Sequence, residues 1–148
     1  VWECKSEDSL EADDVMGIMA TRSPRSYVMA STDKDLKQVP GVHYNWRTDC
    51  MERVTTSDAD YWFYFQVLTG DSTDGYSGCP GVGPRRAKTV LEGTGADPWA
   101  SIVAAFESKG LSEEDALTQA RVARILRCDD YDLKRRRPVL WRPRPDWA

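Results

Sequence analysis

The chain has 148 residues and a mass of 16.7 kDa, the size of one ordinary domain or of two small ones that share a core. Hydrophobic residues make up 41% and charged residues 30%, so the chain can bury a core and is not compositionally disordered. No apolar run approaches the roughly 18 residues of a membrane span and no signal peptide opens the chain, so we expect no membrane association. The sequence opens on Val1 rather than Met, which is typical of a processed chain or an excerpt.

The cysteine and histidine pattern excludes several kinds of active site. The cysteines are far apart in sequence and His43 is the single histidine, whereas a zinc site of Cys and His ligands needs clustered residues. A serine or cysteine nucleophile would have to use His43, which has no nucleophile motif nearby. Scattered cysteines are typical of a reducing cytosol, where thiols pack as small hydrophobic groups, so we expect a cytoplasmic protein. Hydrolase chemistry would therefore depend on carboxylates.

The formal net charge of −4 conceals an uneven distribution. Residues 1–83 hold seven basic and fourteen acidic residues, whereas residues 84–148 hold thirteen basic and ten acidic ones. An acidic half that concentrates cations, joined to a half with basic stretches, fits a protein that acts on phosphates through metal ions. Composition alone favours a simpler interpretation, a solvated surface with scattered charge.

Helix and strand patterns alternate in the first half of the chain. The spacing of apolar residues predicts a helix over 10–22, which Pro24 ends. Short apolar runs predict strands over 27–31 and 42–46, with a polar segment between them. This order of helix, strand, loop and strand predicts an α/β fold with parallel neighbouring strands.

The next predicted helix, over 57–68, contains a block of five consecutive aromatic residues at 61–65. Ser57 and Asp60 have the spacing of a capping box at its start. Such a block can stack on nucleobases. We favour burial in the core, because consecutive helical positions point in all directions and only burial accommodates them all.

A glycine-rich loop at 69–83 holds five of the ten glycines. Helix patterns then resume in three places, from Pro84 to about residue 91, from Asp97 to near residue 110, and from Ser112 through the arginines that follow. The last predicted element is an edge strand at 139–141, between prolines.

Acidic residues form three groups, each beside an apolar element. They are Glu11, Asp13 and Asp14 at the first helix, Asp33 and Asp35 after the first strand, and Asp71 and Asp74 in the glycine-rich loop. Each group alone is more typical of a helix cap or a turn. Together they lie where α/β sheets place their sites, and converging carboxylates need cations between them. The hard ions Mg²⁺ and Mn²⁺ are the natural partners.

The glycine-rich loop leads directly into a helix N-terminus, a combination that predicts an anion site. Its glycines permit backbone conformations that aim N–H groups outward, and three cations follow. The residues concerned are Gly78, Gly81, Gly83, Arg85, Arg86 and Lys88. The expected anion is a DNA backbone phosphate, bound without reading sequence. The loop matches neither a Walker loop nor a Rossmann fingerprint, and the alternative is an ordinary connector.

Three stretches in this order resemble the 5′-nuclease family, which includes flap endonucleases and the 5′-exonuclease domain of bacterial DNA polymerase I. They are EADD at 11–14, ASTDKDL at 30–36 and LTGDSTDGYSGCPGVGPRRA at 68–87, and the segment QARVARIL at 119–126 fits as a helix of the family. The likeness is greatest to the 5′→3′ exonucleases of short-tailed phages and covers most of the chain.

The resemblance implies a partial parallel-sheet nuclease core at 1–70 and a helical DNA-binding region at 71–148. The hairpin at 78–83 would belong to a helix–three-turn–helix motif, which commonly holds a potassium ion. The resemblance also implies two metal sites for Mg²⁺ or Mn²⁺. The first would contain Glu11 and Asp13, and the second Asp14, Asp33, Asp35, Asp71 and Asp74.

The resemblance implies hydrolysis of DNA phosphodiester bonds from 5′ ends by a two-metal mechanism. The implied substrates are a duplex or a flap, and also RNA in a hybrid. If a phage encodes the chain, the expected location is the cytoplasm of the host cell. The basic run at 134–137 either extends the phosphate track or is a solvated tail.

Family members carry an N-terminal strand with metal-site aspartates and a basic helical arch before the EADD motif, whereas ten residues precede it here. Three explanations stay open: a fragment, a chain that needs an N-terminal partner, or a non-catalytic module that binds duplex DNA by its structure. An interaction domain with incidental acids is a further alternative.

Overall fold

The structure, a computed structural model, describes residues 4–22, 27–93 and 97–143. These ranges form a mixed α/β structure with five α-helices and a small, partly parallel sheet, as the sequence predicts. The elements are α1 (Ala12–Arg22), β1 (Val28–Ala30), a 3₁₀ helix (Asp35–Gln38), β2 (Gly41–Asn45), β3 (Cys50–Val54), α2 (Thr56–Thr69), α3 (Pro84–Glu92), α4 (Pro98–Glu107), α5 (Glu113–Ala123), a second 3₁₀ helix (Cys128–Asp130), β4 (Tyr131–Asp132) and β5 (Arg137–Pro138).

The chain divides into two compact units, each built from two stretches of sequence. The first unit comprises residues 1–59 and 125–140, and the second comprises 60–124 and 141–148. Neither unit contains a described helix that is both long and apolar enough to cross a membrane. The division predicted at residue 70, between a nuclease core and a helical DNA-binding region, stays a prediction.

The first unit contains a three-stranded sheet in the order β1-β2-β3. Strands β1 and β2 are parallel, with Val28 opposite Val42, which confirms the predicted arrangement of these two strands. Strand β3 was not predicted and pairs antiparallel with β2. Four of its five residues are exposed, so it lacks the apolar alternation that identifies a strand in sequence. The side chain of Asn45 closes the hairpin turn by accepting hydrogen bonds from two backbone N–H groups.

The core of the first unit lies between α1, the sheet and the chain that follows α5. Met29, Leu36, Val39 and Ile125 are buried there, with partly buried side chains of α1 against them. The segment predicted as a polar loop after β1 contains a 3₁₀ helix, because Leu36 turns into this core. Pro24, predicted to end α1, lies outside the described residues.

Helices α2 to α5 surround the core of the second unit. Phe63 and Tyr64 are buried there, which confirms the favoured interpretation of the aromatic block, while Tyr61 remains 38% exposed. Trp141 packs edge-on against the Phe63 ring at a centroid distance of 5.0 Å. The aromatic residues of α2 are therefore mainly structural.

The cap of α2 lies two residues before the predicted one. The Asp58 carboxylate accepts hydrogen bonds from the backbone N–H and the hydroxyl of Thr55, whose hydroxyl oxygen accepts from the N–H of Asp58. These bonds, the side-chain one first, lower the pKa of Asp58. The prediction of Ser57 and Asp60 was wrong because the pattern T-x-x-D at 55–58 has the same spacing and starts the helix earlier.

Three helix starts are as predicted. Pro84 opens α3, the Asp97 carboxylate accepts from the N–H of Trp99 at the start of α4, and Ser112 forms a capping box with Asp115 at the start of α5. The prediction for the end of α5 was wrong, because the helix ends at Ala123 and Arg124 adopts an extended conformation. Side chains of the first unit bind the backbone beyond this point.

Two further expectations differ from the structure. The strand predicted at 139–141 lies instead at Arg137–Pro138, where it pairs with β4 across a basic turn. Of the cysteines, Cys79 is buried as a small hydrophobic group, whereas Cys4 and Cys50 are exposed and Cys128 is half-buried. Burial raises the pKa of the Cys79 thiol.

Candidate metal centre and nucleic-acid interface

Five of the seven predicted acids lie in the first unit and act on one another electrostatically. Helix α1 begins at Ala12, so it places Asp13 and Asp14 in its first turn, and the segment after β1 carries the second group. Burial, and then repulsion by four neighbouring carboxylates, raises the pKa of Asp13. In order of effect, the neighbours are Asp33, Glu11, Asp14 and Asp35. The two acid groups of this unit therefore lie close enough to share a charge environment.

Backbone hydrogen bonds orient these carboxylates. Asp14 Oδ1 accepts from the N–H of Leu126 at 2.9 Å. Asp33 Oδ1 accepts from the N–H of Asp35 at 2.9 Å, which fixes the turn that carries both acids. Asp35 is half-buried and its Oδ1 lies 4.0 Å from the ammonium nitrogen of Lys34. Main-chain N–H groups therefore orient Asp14 and Asp33.

The donor set fits a hard divalent cation. It consists of carboxylate oxygens, the ligands that Mg²⁺ and Mn²⁺ prefer. A group of repelling carboxylates with a raised pKa at Asp13 is unfavourable without a cation, and a bound positive charge reverses that cost. The residues present in the first unit therefore suit the ion that the sequence predicts.

The other two predicted acids share one tight turn of the second unit. Asp71 and Tyr76 exchange two backbone hydrogen bonds, of 3.0 and 3.1 Å, and Asp71 Oδ1 accepts from the N–H of Thr73 at 2.8 Å. A carboxylate oxygen of Asp71 lies within 4.8 Å of one of Asp74. The turn therefore presents the two acids as a pair, with Asp74 exposed.

Gly78 faces the interior of the second unit rather than outward as expected. It is buried, and its N–H donates to the side-chain oxygen of Gln119 at 2.8 Å. A Cβ at Gly78 would overlap the backbone at Leu68 and Gly70, and one at Gly70 would overlap the backbone of Ser77. Gly78 therefore closes the loop, and sequence reasoning missed Gln119, although it belongs to the stretch at 119–126 that carries the family resemblance.

The remaining residues of the predicted phosphate site are exposed. Gly81 has a φ of +71°, and its carbonyl accepts from Arg86 Nη1 at 2.9 Å. Gly83 caps α3, whose first turns carry Arg85 and Lys88, and Lys88 lies 3.6 Å from Glu92. A helix N-terminus, flanked by a constrained loop and by exposed cations, is suited to bind an anion.

Three residues of the basic run at 134–137 lie in the turn between β4 and β5 of the first unit, and the fourth, Arg137, begins β5. Arg135 Nη1 lies 3.3 Å from Asp132, and Arg136 donates to the Glu7 carboxylate at 2.6 Å. The Tyr131 hydroxyl also donates to Glu7. Half of the run therefore makes ion pairs within the protein, which reduces the charge available for a phosphate track.

Proteins of similar sequence include two phage exonucleases and a flap endonuclease. No family model matches the chain. The chain is 32% identical to an exonuclease of Escherichia phage T7 and 31% identical to an exodeoxyribonuclease of Enterobacteria phage T3, over 95% of its own length in each case. It is 30% identical, over 74% of its length, to flap endonuclease Xni of Shewanella loihica, of which it covers 49%. The chain spans 58% of the length of each phage relative.

These relatives confirm the resemblance to the 5′-nuclease family that the three motifs carry. Within that family it is similar to the phage exonucleases, as the motifs predict.

Proposed function

We propose that this chain is a metal-dependent 5′→3′ exonuclease or flap endonuclease that hydrolyses DNA phosphodiester bonds from 5′ ends by a two-metal mechanism. The observation that supports this most is the acid group of the first unit, where burial and four neighbouring carboxylates raise the pKa of Asp13. An arrangement that opposes its own ionisation is typical of a functional site, because it costs stability unless a ligand uses it. The names of the phage relatives, exonuclease and exodeoxyribonuclease, support the same activity.

The seven acids are proposed as the metal ligands and catalytic residues. Glu11 and Asp13 would hold a first ion, and the second would be held by Asp14, Asp33, Asp35, Asp71 and Asp74. Bound Mg²⁺ or Mn²⁺ would supply Lewis-acid chemistry and an activated water. The chain's own contribution is to orient the carboxylates, with Asp14 fixed through one oxygen by the N–H of Leu126 and Asp33 fixed by the N–H of Asp35.

The second unit is proposed to hold the duplex. Gly81, Gly83 and the N-terminus of α3 would bind a backbone phosphate, with Arg85, Arg86 and Lys88 beside it. Gly78 would act indirectly, by closing the loop through Gln119. Carbonyls of the same hairpin would take the potassium ion that the resemblance implies. The proposed substrates are a 5′-ended or flapped duplex and RNA in a hybrid.

A non-catalytic duplex-binding module is the second candidate. It is favoured by the glycine loop and the cations of α3, which lie together in the second unit without depending on the acids of α1. Binding and cleavage can therefore be separated experimentally.

The experiment that tests the proposal is digestion of a 5′-labelled DNA duplex by the chain, with and without Mg²⁺. The digestion is carried out with the chain alone and after addition of the N-terminal segment of a phage relative. Mg²⁺-dependent release of label from 5′ ends, lost in the variant Asp13→Asn, is expected for a nuclease. Salt-dependent duplex binding without cleavage under either condition would select the binding module. Absence of both DNA binding and divalent-metal binding would leave the interaction domain.

Gly81→Val is expected to weaken duplex binding about tenfold, because a β-branched residue is strained at a φ of +71° and the loop must shift. The matched control is Gly110→Val, which introduces the same strain at a φ of +76° in the turn before α5. Fluorescence anisotropy with a labelled duplex measures both affinities. Equal affinities in the two variants would contradict the role of the hairpin.

A further inference from the structure

The segment that follows α5, residues 125–128, is bound by side chains of the first unit, and we call it the strap. Its Arg127 N–H donates locally to Asp130, and its other three backbone N–H groups donate to side chains of α1 and of the first 3₁₀ helix. Ile125 N–H donates to Gln38 Oε1 at 3.2 Å, Leu126 N–H donates to Asp14 Oδ1 at 2.9 Å, and Cys128 N–H donates to Thr21 Oγ1 at 2.8 Å. These hydrogen bonds to side chains replace the backbone hydrogen bonds that a continued helix would have made.

The side chain of Arg127 also attaches the strap to the 3₁₀ helix that contains Gln38. Its Nε and Nη2 donate to the backbone carbonyl of Gln38 at 3.0 and 2.6 Å. Gln38 therefore receives hydrogen bonds from the strap on both its side chain and its main chain, and it is only 1% exposed. Charge-assisted bonds to a buried group are among the stronger hydrogen bonds of a protein.

The strap connects the two acid-bearing segments of this unit. Asp14 and Thr21 belong to α1, whereas Gln38 ends the 3₁₀ helix that Asp35 begins. The carboxylates of the two segments repel one another, so the segments tend to separate unless something else holds them. The hydrogen bonds of the strap oppose this tendency without neutralising the acids.

We propose that the strap sets the spacing of the two acid groups for a divalent cation, and that Gln38 and Thr21 are positioning residues of the metal centre. This inference rests on the proposed function, because it assumes that the acids bind an ion. The chemical class of the ligand is a hard divalent cation. Nothing in the motifs points to Gln38 or Thr21, although a glutamine between Leu36 and Val39, in an apolar stretch, is a sequence signal of a buried hydrogen bond.

The test compares Mn²⁺ binding, by electron paramagnetic resonance, in the parent chain and in Gln38→Leu and Thr21→Val. Both variants keep the approximate side-chain volume and remove an acceptor. Each is expected to weaken Mn²⁺ binding about tenfold or more, which is the usual cost of removing a group that orients a ligand. Thr21→Ser restores the hydroxyl and is expected to restore the affinity.

The control is Ser112→Ala, which removes the capping box of α5 in the second unit and lowers stability without touching the strap. All variants are measured below their unfolding transitions, and amide exchange at residues 125, 126 and 128 reports whether the strap has opened. If Gln38→Leu and Thr21→Val bind Mn²⁺ as tightly as the parent while the amides at 125, 126 and 128 exchange faster, the positioning role is overturned and the proposed function is not. Absence of Mn²⁺ binding in the parent would overturn the proposed function and this inference with it.

Discussion

Asp13→Asn is expected to raise the melting temperature of the metal-free protein by a few degrees and to weaken Mn²⁺ binding about tenfold or more. The carboxylate of Asp13 is destabilised by burial and by four acidic neighbours, and the amide removes that repulsion. The same substitution removes one negative charge from the proposed ion site. A single substitution that stabilises the fold and weakens ligand binding is typical of a functional site.

The stabilisation should depend on pH in a defined direction. Because the pKa of Asp13 is raised in the folded state, protonation of this carboxyl stabilises the folded parent. This contribution to stability is fully present below the ordinary pKa of 3.8 and is lost as the pH rises through the raised pKa. Asp13→Asn has no such loss, so its excess stability over the parent should be small near pH 3 and full at neutral pH. Thermal unfolding in the presence of a chelator, at several pH values, measures the difference.

The matched control for this experiment is Glu107→Gln, an exposed acid at the end of α4 in the second unit. It removes the same charge without touching the acid group and should change neither the melting temperature nor Mn²⁺ binding appreciably. A melting temperature of Asp13→Asn at or below that of the parent would contradict the electrostatic argument. Unchanged Mn²⁺ binding would contradict the ligand role.

Gly17→Ala is expected to destabilise the protein by about 2–3 kcal/mol, although alanine normally stabilises the interior of a helix by about 1 kcal/mol. A Cβ at Gly17 would overlap the carbonyl oxygen of Leu126 and press against the Ile125 side chain. Backbone atoms cannot move aside as the end of a flexible side chain can. Chemical denaturation measures the change, and its sign is the test.

The same substitution should also affect the ion site. Displacing Leu126 lengthens its hydrogen bond to Asp14, so Mn²⁺ affinity is expected to fall together with stability. Gly83→Ala serves as the stability control, because a Cβ there meets no atom within 4 Å and the change should stay within about 1 kcal/mol. A stabilised Gly17→Ala variant would show that the strap does not pack against α1 as closely as described.

Helix starts and acid groups could be predicted because their causes are local in sequence. Pro84, Asp97 and Ser112 act on backbone groups within one turn, so each marks its helix without reference to the rest of the chain. The predicted cap at Ser57 shows the limit of such reasoning, since two overlapping patterns of equal spacing compete there and Thr55 prevails. The acid groups were equally visible, because carboxylates beside apolar elements form a pattern of residue types.

The amino-acid sequence by itself therefore determined the mixed α/β class, the starts of α3 to α5 and the family. Only the tertiary structure decided where α5 ends, that Gly78 turns inward to Gln119, and that the strap binds Gln38, 87 residues away from Ile125. Those features depend on hydrogen bonds between residues far apart in sequence, and a local pattern contains no information about which distant partner will be present. No motif marks Gln38 or Thr21 as acceptors, because they belong to two other segments that only folding brings beside the strap.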